Sequence, residues 1–321
     1  MNRFAAGLVA LALAAPLAIA QTYPVRPVKI IVPAQPGGGL DLIGRTMADQ
    51  LGRALEQSFI VENIGGGGGL IASQAVARAA PDGYTLMVGY VATHATSPAV
   101  RHVPYDPLRD FTPVAMIGGT RNMLVVHPAV PATDIKSFIA YARQPDGRLK
   151  HGAGGVGTLT HLLMEQLKGA AGFDAVTAQY RGIGPAFQDL LGGQLEVLTP
   201  GVAAALPHIR SGKVKPLAVT GLARHPLLPD VPTFEESGFK GFDGVQWYGI
   251  VGPAKLSPEV TKRLSAEINK ALALPALKER LVAEAIEPMP MTPGQFGAYI
   301  EAELARYTTL ARERKIWLEE K

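Results

Sequence analysis

Three glycine-rich turns are where this sequence could do chemistry. They are Gly37-Gly38-Gly39 in VPAQPGGGLDLIGR (32–45), Gly65 to Gly69 in VENIGGGGGL (61–70), and Gly152 to Gly157 in HGAGGVGTLTHL (151–162). Each lies between an apolar run and a helix-forming stretch. Glycine adopts positive φ and lets backbone approach a ligand closely. A helix N-terminus behind it adds unpaired N–H groups and about half a positive charge. Together they can hold an anion without a cationic side chain. In the third turn, Thr158 and Thr160 offer hydroxyls beside the backbone donors of Gly154, Gly155 and Gly157. The phosphate-loop pattern G-x-x-x-x-G-K-[ST] occurs nowhere. Asp41, just after the first glycines, complements the helix dipole but would repel a multiply charged phosphate. A singly charged carboxylate fits better.

Other chemistries find less support. Gly152-x-Gly154-x-x-Gly157 spells a dinucleotide fingerprint, but the acid needed after the next strand is missing, and Asp174 precedes that strand. There is no G-x-S-x-G elbow, no H-E-x-x-H and no cysteine, and the seven histidines form no ligand cluster. No metal and no cofactor is expected. His161 and Glu165, four apart, read as neighbours on one helix face. Arg181, in AQYRGIG, could meet a ligand carboxylate in bidentate fashion.

The elements that must position these residues alternate. KIIVPA (29–34), SFIVEN (58–63) and TLMVGY (85–90) are each followed or preceded by helical patterns, at about 41–56 and 70–79. MLVVHP (123–128), LKHGA (149–153), AVTAQY (175–180), LEVLT (195–199) and VKPLAVTG (214–221) continue the series, with helices near 133–144, 158–168, 183–191 and 203–211. Such alternation predicts α/β architecture with parallel strands covered on both faces. A proline-rich, strand-free connection (225–238) follows, and the last third is mostly helical. Ser257-Pro258-Glu259 marks a helix start, with Val260, Leu264, Ile268 and Leu272 as its buried stripe. MLVVHPAVPATDIKSFIAYA (123–142) and YGIVGPAKLSPEVTKRLSAEI (248–268) share one plan: strand, proline, small-residue turn, helix. They could mark two crossovers between lobes, with the chain leaving lobe one near 122 and returning near 245. Coincidence between ordinary βα units is the other reading.

Residues 1–20 read as a signal peptide, with Arg3, an apolar run from Phe4 to Ile19, and small residues at Ala18 and Ala20. The mature chain then begins near Gln21, in a periplasm. The 321 residues carry a formal net charge of +4 with no basic stripe, which argues against nucleic acid. The expected organisation is lobe one at 21–122 and 245–321 and lobe two at 123–244.

In order along the mature chain, YPVRPVKIIVPAQPGGGLDLIGR, VENIGGGGGLIASQAVARAAPDGYTL, VPYDPLRDFTPVAMI, GAGGVGTLTHL, YRGIGPAFQDLLGGQLEV, LPHIRSGKVKPLAV and LPDVPTFEESG resemble the substrate-binding proteins of tripartite tricarboxylate transporters, the Bug-type receptors. The resemblance implies a monomeric, type II-like periplasmic binding protein: two Rossmann-like lobes joined by two crossing strands, with a ligand cleft between. It implies a small carboxylate ligand, delivery to a membrane permease, and no chemistry on the ligand. Carried over by motif, the site comprises Pro36, Gly37, Gly38, Gly39 and Asp41 in one lobe and Gly154 to His161 in the other. Tyr90, Thr93 and His94 in the loop after Tyr90 and Tyr180 and Arg181 in the YRG turn would complete it. The chain departs from the family after QLEV. Leu198-Thr199-Pro200-Gly201 stands where many members place an apolar residue, an acid and an amide. That weakens an amino-acid ligand, though Asp41 could still serve its ammonium, and favours a dicarboxylate or an aromatic acid flanked by Tyr90, Tyr180 or Trp247. GYVATHATSPAVRHVPYDP is similar to terephthalate-binding members. The alternatives are a periplasmic enzyme acting on an organic acid, with His161 or Asp41 as base, and a scaffold with a vestigial cleft.

Overall fold

The computed structural model describes residues 23–37, 39–144, 149–180 and 182–317. The leader, Gly38 and Arg181 lie outside the described residues. Two mixed sheets form the frame. The first contains β1 (Val28–Val32), β2 (Phe59–Asn63), β3 (Thr85–Tyr90), β4 (Phe111–Arg121), β10 (Val245–Pro253) and β11 (Glu287–Pro288), in the order β11-β4-β10-β3-β1-β2. The second contains β5 (Met123–Val126), β6 (Lys150–Ala153), β7 (Val176–Gln179), β8 (Val197–Leu198) and β9 (Lys215–Val219), in the order β7-β6-β8-β5-β9. β1 runs parallel to β2 and β3, and β6 runs parallel to β7 and β8. β4, β5 and β10 run against their neighbours. These are the strands at the crossings, so each sheet is parallel where βα units build it and antiparallel where the chain passes between the sheets.

The helices follow the strands closely. They are α1 (Gly39–Leu55), α2 (Leu70–Ala77), a π-helical turn at Ala92–Thr96, α3 (Ser97–Val100), α4 (Ile135–Ala142), α5 (Leu159–Ala171), α6 (Ile183–Leu191), α7 (Val202–Arg210), α8 (Pro258–Leu272), α9 (Pro275–Ala283) and α10 (Pro293–Glu313). α1 buries Ile43, Met47, Leu51 and Leu55 against the first sheet, and each such apolar side chain contributes about 1.5–3 kcal/mol. α8 starts as its sequence dictates: the Ser257 hydroxyl accepts from Val260 N at 3.2 Å, with Pro258 in the first turn. Leu264, Ile268 and Leu272 are buried along it.

The long strand β4 was not marked by the pattern of helices and strands. Two glycines, Gly118 and Gly119, break its apolar run, and backbone explains them. A Cβ on Gly118 would lie 2.3 Å from Glu287 O, and one on Gly119 would touch Gln246 O at 3.1 Å. β4 is sandwiched between β10 and β11 at these points. The crossing pair is therefore β4 with β10, in register Arg121↔Val245, and the chain enters β5 directly after Asn122. The stretch 123–128 is an interior strand of the second sheet and not itself a partner of β10. α10 covers the junction, packing Phe296 and Tyr307 in a core that also holds Trp247 and Leu163. Among the described residues no helix is long and apolar enough to cross a membrane.

Candidate functional site

A cavity of about 280 Å³ opens between the two sheets. Its walls are the starts of helices. Leu40 lies in the first turn of α1, and Val91 and Ala92 open the π-helical turn. Thr158, Leu159 and Thr160 open α5, Gly182 and Ile183 open α6, and Gly201 and Ala204 open α7. These starts converge because every βα unit directs its helix N-terminus to the same end of its sheet, and the two sheets present those ends to each other. No side chain caps α5, α6 or α7. Ala203 N, in the first turn of α7, donates to Thr120 Oγ1 at 3.4 Å, and the first-turn N–H groups without such an acceptor turn to ligand or water. The described lining contains no Lys, Arg or His. The positive field that the described lining supplies therefore comes from backbone dipoles.

The third glycine turn is held by its own hydroxyls. Gly154 N donates to Thr160 Oγ1 at 2.9 Å, Thr158 Oγ1 donates to Gly155 O at 2.6 Å, and the two hydroxyls meet at 2.8 Å. Thr158 and Thr160 face the cavity but are spoken for by the loop, so they shape the backbone more than they add free donors. Gly155 and Gly157 sit at φ +134° and +74°. His161 turns away from the cavity. Its Nδ1 accepts from Gly157 N at 3.2 Å, which leaves the proton on Nε2, facing Glu165 Oε1 at 3.9 Å. Burial lowers its pKa from the ordinary value, with Glu165 partly opposing. It braces the loop from behind.

Asp41 is likewise engaged. It accepts from Arg45 Nε at 2.9 Å, Gly37 N at 2.9 Å and Asn63 Nδ2 at 3.0 Å. The Arg45 hydrogen bond above all, with those from Gly37 and Asn63, holds its carboxyl down at about 2 against burial. Asp41 thus fixes the first glycine turn as an internal anion, with three of its about four lone-pair sites already used. Pro36, Gly37 and Gly39 are exposed and do not line the cavity; Gly37 has φ +92°. Tyr90 does line it, and donates to Gly68 O at 3.0 Å, which ties the second glycine turn to the cleft wall. Burial pushes its phenol up.

Four expected residues lie elsewhere. Thr93 and His94 are fully buried beneath the cleft. Thr93 Oγ1 bonds Tyr90 N, Tyr90 O and His94 Nδ1, and the His94 ring packs edge-on against Phe111. Burial alone drives His94 down to about 3. The π-helical turn is the reason: it rotates these side chains inward while Val91 and Ala92 keep the cavity face. Tyr180 points off the second sheet and donates to Asp189 Oδ2, an acceptor that raises its pKa to about 12. Trp247 is 0 % exposed, packed edge-on against Phe296 and Tyr299.

The residues missed by sequence reasoning are mostly apolar: Leu40, Ala92, Ile183 and Ala204, with the polar Gln246 from β10. Helix starts carry a usable signal, because the first-turn residue after each strand faces the cleft. Gln246 carried none, since it depends on the crossing. The Thr199-Pro200-Gly201 segment also finds its place. Gly201 opens α7 at the cavity, while buried Thr199 donates to Thr160 O, meets His151 Nε2 at 3.2 Å and accepts from Asn122 Nδ2 at 2.9 Å through its carbonyl. A threonine here joins Asn122, the residue between β4 and β5, to the third glycine turn. Among the described residues no cluster could hold a metal ion.

This architecture recurs in known proteins. Residues 43–316 match the family model described as "Tripartite tricarboxylate transporter family receptor". Protein BugT of Bordetella pertussis is 34% identical over 309 residues, covering 94% of this chain and 93% of BugT. The structure titled "R. palustris Rpa4515 with adipate" superposes with TM-score 0.84 at 32% identity, covering 92% of this chain and 99% of that one. MatC from Rhodopseudomonas palustris with bound malate gives TM-score 0.79 at 31% identity, covering 90% and 99%. The two-sheet frame, the cleft of helix starts and these matches together lead to one conclusion: the chain belongs to the tripartite tricarboxylate transporter receptor family.

Proposed function

We propose that this receptor captures a small aliphatic dicarboxylate in the periplasm and presents it to a membrane permease, without turning it over. One observation carries the reading: helix N-termini from both sheets converge on a cavity whose described lining has no cationic side chain. Such a field suits a carboxylate, whose charge is low enough to be balanced by dipoles and bridging water. The bound acids of the two related structures, adipate and malate, belong to the same class. In this reading residues 21–122 with 245–321 form one lobe, residues 123–244 form the other, and the β4–β10 pair is the hinge. A ligand touching both lobes favours closure by its differential affinity.

An aliphatic chain is favoured over a ring. Tyr180 and Trp247 face away from the cavity, leaving Tyr90 without a partner to clamp terephthalate, and Leu40, Ala92, Ile183 and Ala204 supply aliphatic walls. An enzymatic reading would need a base in the cleft. His161 Nδ1 and the Asp41 carboxylate, its two candidates, are both occupied by loop N–H groups. A thermal-shift panel of adipate, malate, terephthalate, benzoate and phosphate tests the proposal. A ligand at 100 times its Kd should stabilise by about 2.7 kcal/mol, or about 4 °C for a chain of this size. Adipate or malate should shift the melt and remain intact by chromatography. A shift with phosphate alone, or consumption of a bound acid, would refute it.

A further inference from the structure

The cavity has a polar side chain that no glycine turn engages. Four polar side chains line it: Tyr90, Thr158, Thr160 and Gln246. The first three are committed within their own loops, to Gly68 O, to Gly155 O and to Gly154 N. Gln246 instead rides on the crossing strand β10, paired with Thr120 of β4. Successive residues of a strand face opposite sides. Trp247 accordingly enters the α10 core, while Gln246 and Tyr248 share the other face. The Tyr248 phenol, on the same face as Gln246, lies 3.6 Å from where a Cβ on Gly39 would stand. An amide and a phenol thus share one face of β10, the amide at the cavity and the phenol near the start of α1.

We propose that Gln246 is the specificity residue for the second polar end of the ligand, and that it distinguishes a dicarboxylate from the monocarboxylate of equal length. This rests on the receptor reading above. One carboxylate takes the helix N-termini of α5, α6 and α7. The aliphatic middle passes Leu40, Ile183 and Ala204. The other carboxylate meets the Gln246 NH₂. The amide is neutral, so it stabilises an anion by donation without adding charge to the cleft. Glutamate there would place a like charge against the ligand. Leucine would remove the donor and leave the far carboxylate desolvated without a partner. Because Gln246 is on the hinge strand, its contact also reports ligand directly to the β4–β10 pair.

The test measures adipate and hexanoate binding by calorimetry to wild type, Gln246→Leu and Gln246→Glu. Each variant is first checked for an unchanged far-ultraviolet spectrum and apo melting temperature. Wild type should prefer adipate. Gln246→Leu should lose about tenfold or more in adipate affinity and little in hexanoate affinity, collapsing the preference. Gln246→Glu should lose still more for adipate while keeping hexanoate. A wild-type preference that survives both substitutions overturns this assignment and leaves the receptor reading intact. Wild type that binds neither acid, nor any other acid of the panel, overturns both.

Discussion

Gly157 sits where the two halves of the molecule touch, and its replacement should report that contact quantitatively. It has φ +74°, and a Cβ there would stand 2.3 Å from Val100 Cγ2, which belongs to α3 on the first-sheet side. Ordinary carbon contacts lie at about 3.5–4.0 Å, so Val100 must retreat by more than an ångström from a position with 0 % exposure. Left-handed backbone costs a non-glycine residue about 1–2 kcal/mol, and overpacking costs about 1–3 kcal/mol. Gly157→Ala should therefore destabilise the apo protein by about 2–5 kcal/mol. Gly212→Ala supplies the comparison: φ is +69° but nothing lies within 4 Å, so it should cost the backbone contribution only. Val100→Ala removes the clashing methyl, and the double variant should recover the overpacking part. Urea unfolding of the four-member cycle measures this. The expected coupling between Gly157→Ala and Val100→Ala is about 1–3 kcal/mol, favourable in the double variant. Additivity within about 0.5 kcal/mol would show that Gly157 and Val100 do not meet and would refute the packing described.

Two further outcomes follow from the glycine turns. Thr160→Val removes the acceptor of Gly154 N–H and the partner of Thr158; a lost acceptor of this kind costs about 1–3 kcal/mol. Carboxylate affinity by calorimetry should fall about tenfold or more, and an unchanged Kd would mean that the loop does not shape the site. Asp41→Asn tests the internal anion. Its folded pKa, about 2, lies below the ordinary 3.8, so its stabilisation is present above that value and is lost as pH falls towards 2. Wild type and variant should differ most above about pH 5 and converge near pH 2, as followed by thermal melts; a difference independent of pH would contradict the charge role.

How far the site could be seen in advance depended on the range of the interactions involved. The Gly154–Thr160 turn was legible because its loop, its hydroxyls and its helix start are consecutive residues that fold on one another. His94 was not. Its sequence neighbourhood allows a cleft-facing loop, but Phe111 and Trp247, distant in sequence, provide a buried slot. Tyr180 and Trp247 were candidates for flanking a ring for lack of any local sign of orientation. A side chain at a strand end faces cleft or core according to the sheet's register.

The sequence by itself determined the α/β alternation, the helix starts at Thr158, Gly182 and Ser257, and glycine turns without a phosphate-loop lysine. Those are consequences of short-range backbone chemistry: caps, positive φ and apolar periodicity. The tertiary structure alone decided that β4 pairs with β10, that Asp41 and His161 are engaged by their own loops, and that Gln246 faces the cavity. Pairing register places alternate residues on opposite faces, and it is settled only when strands far apart in sequence bury their apolar sides together.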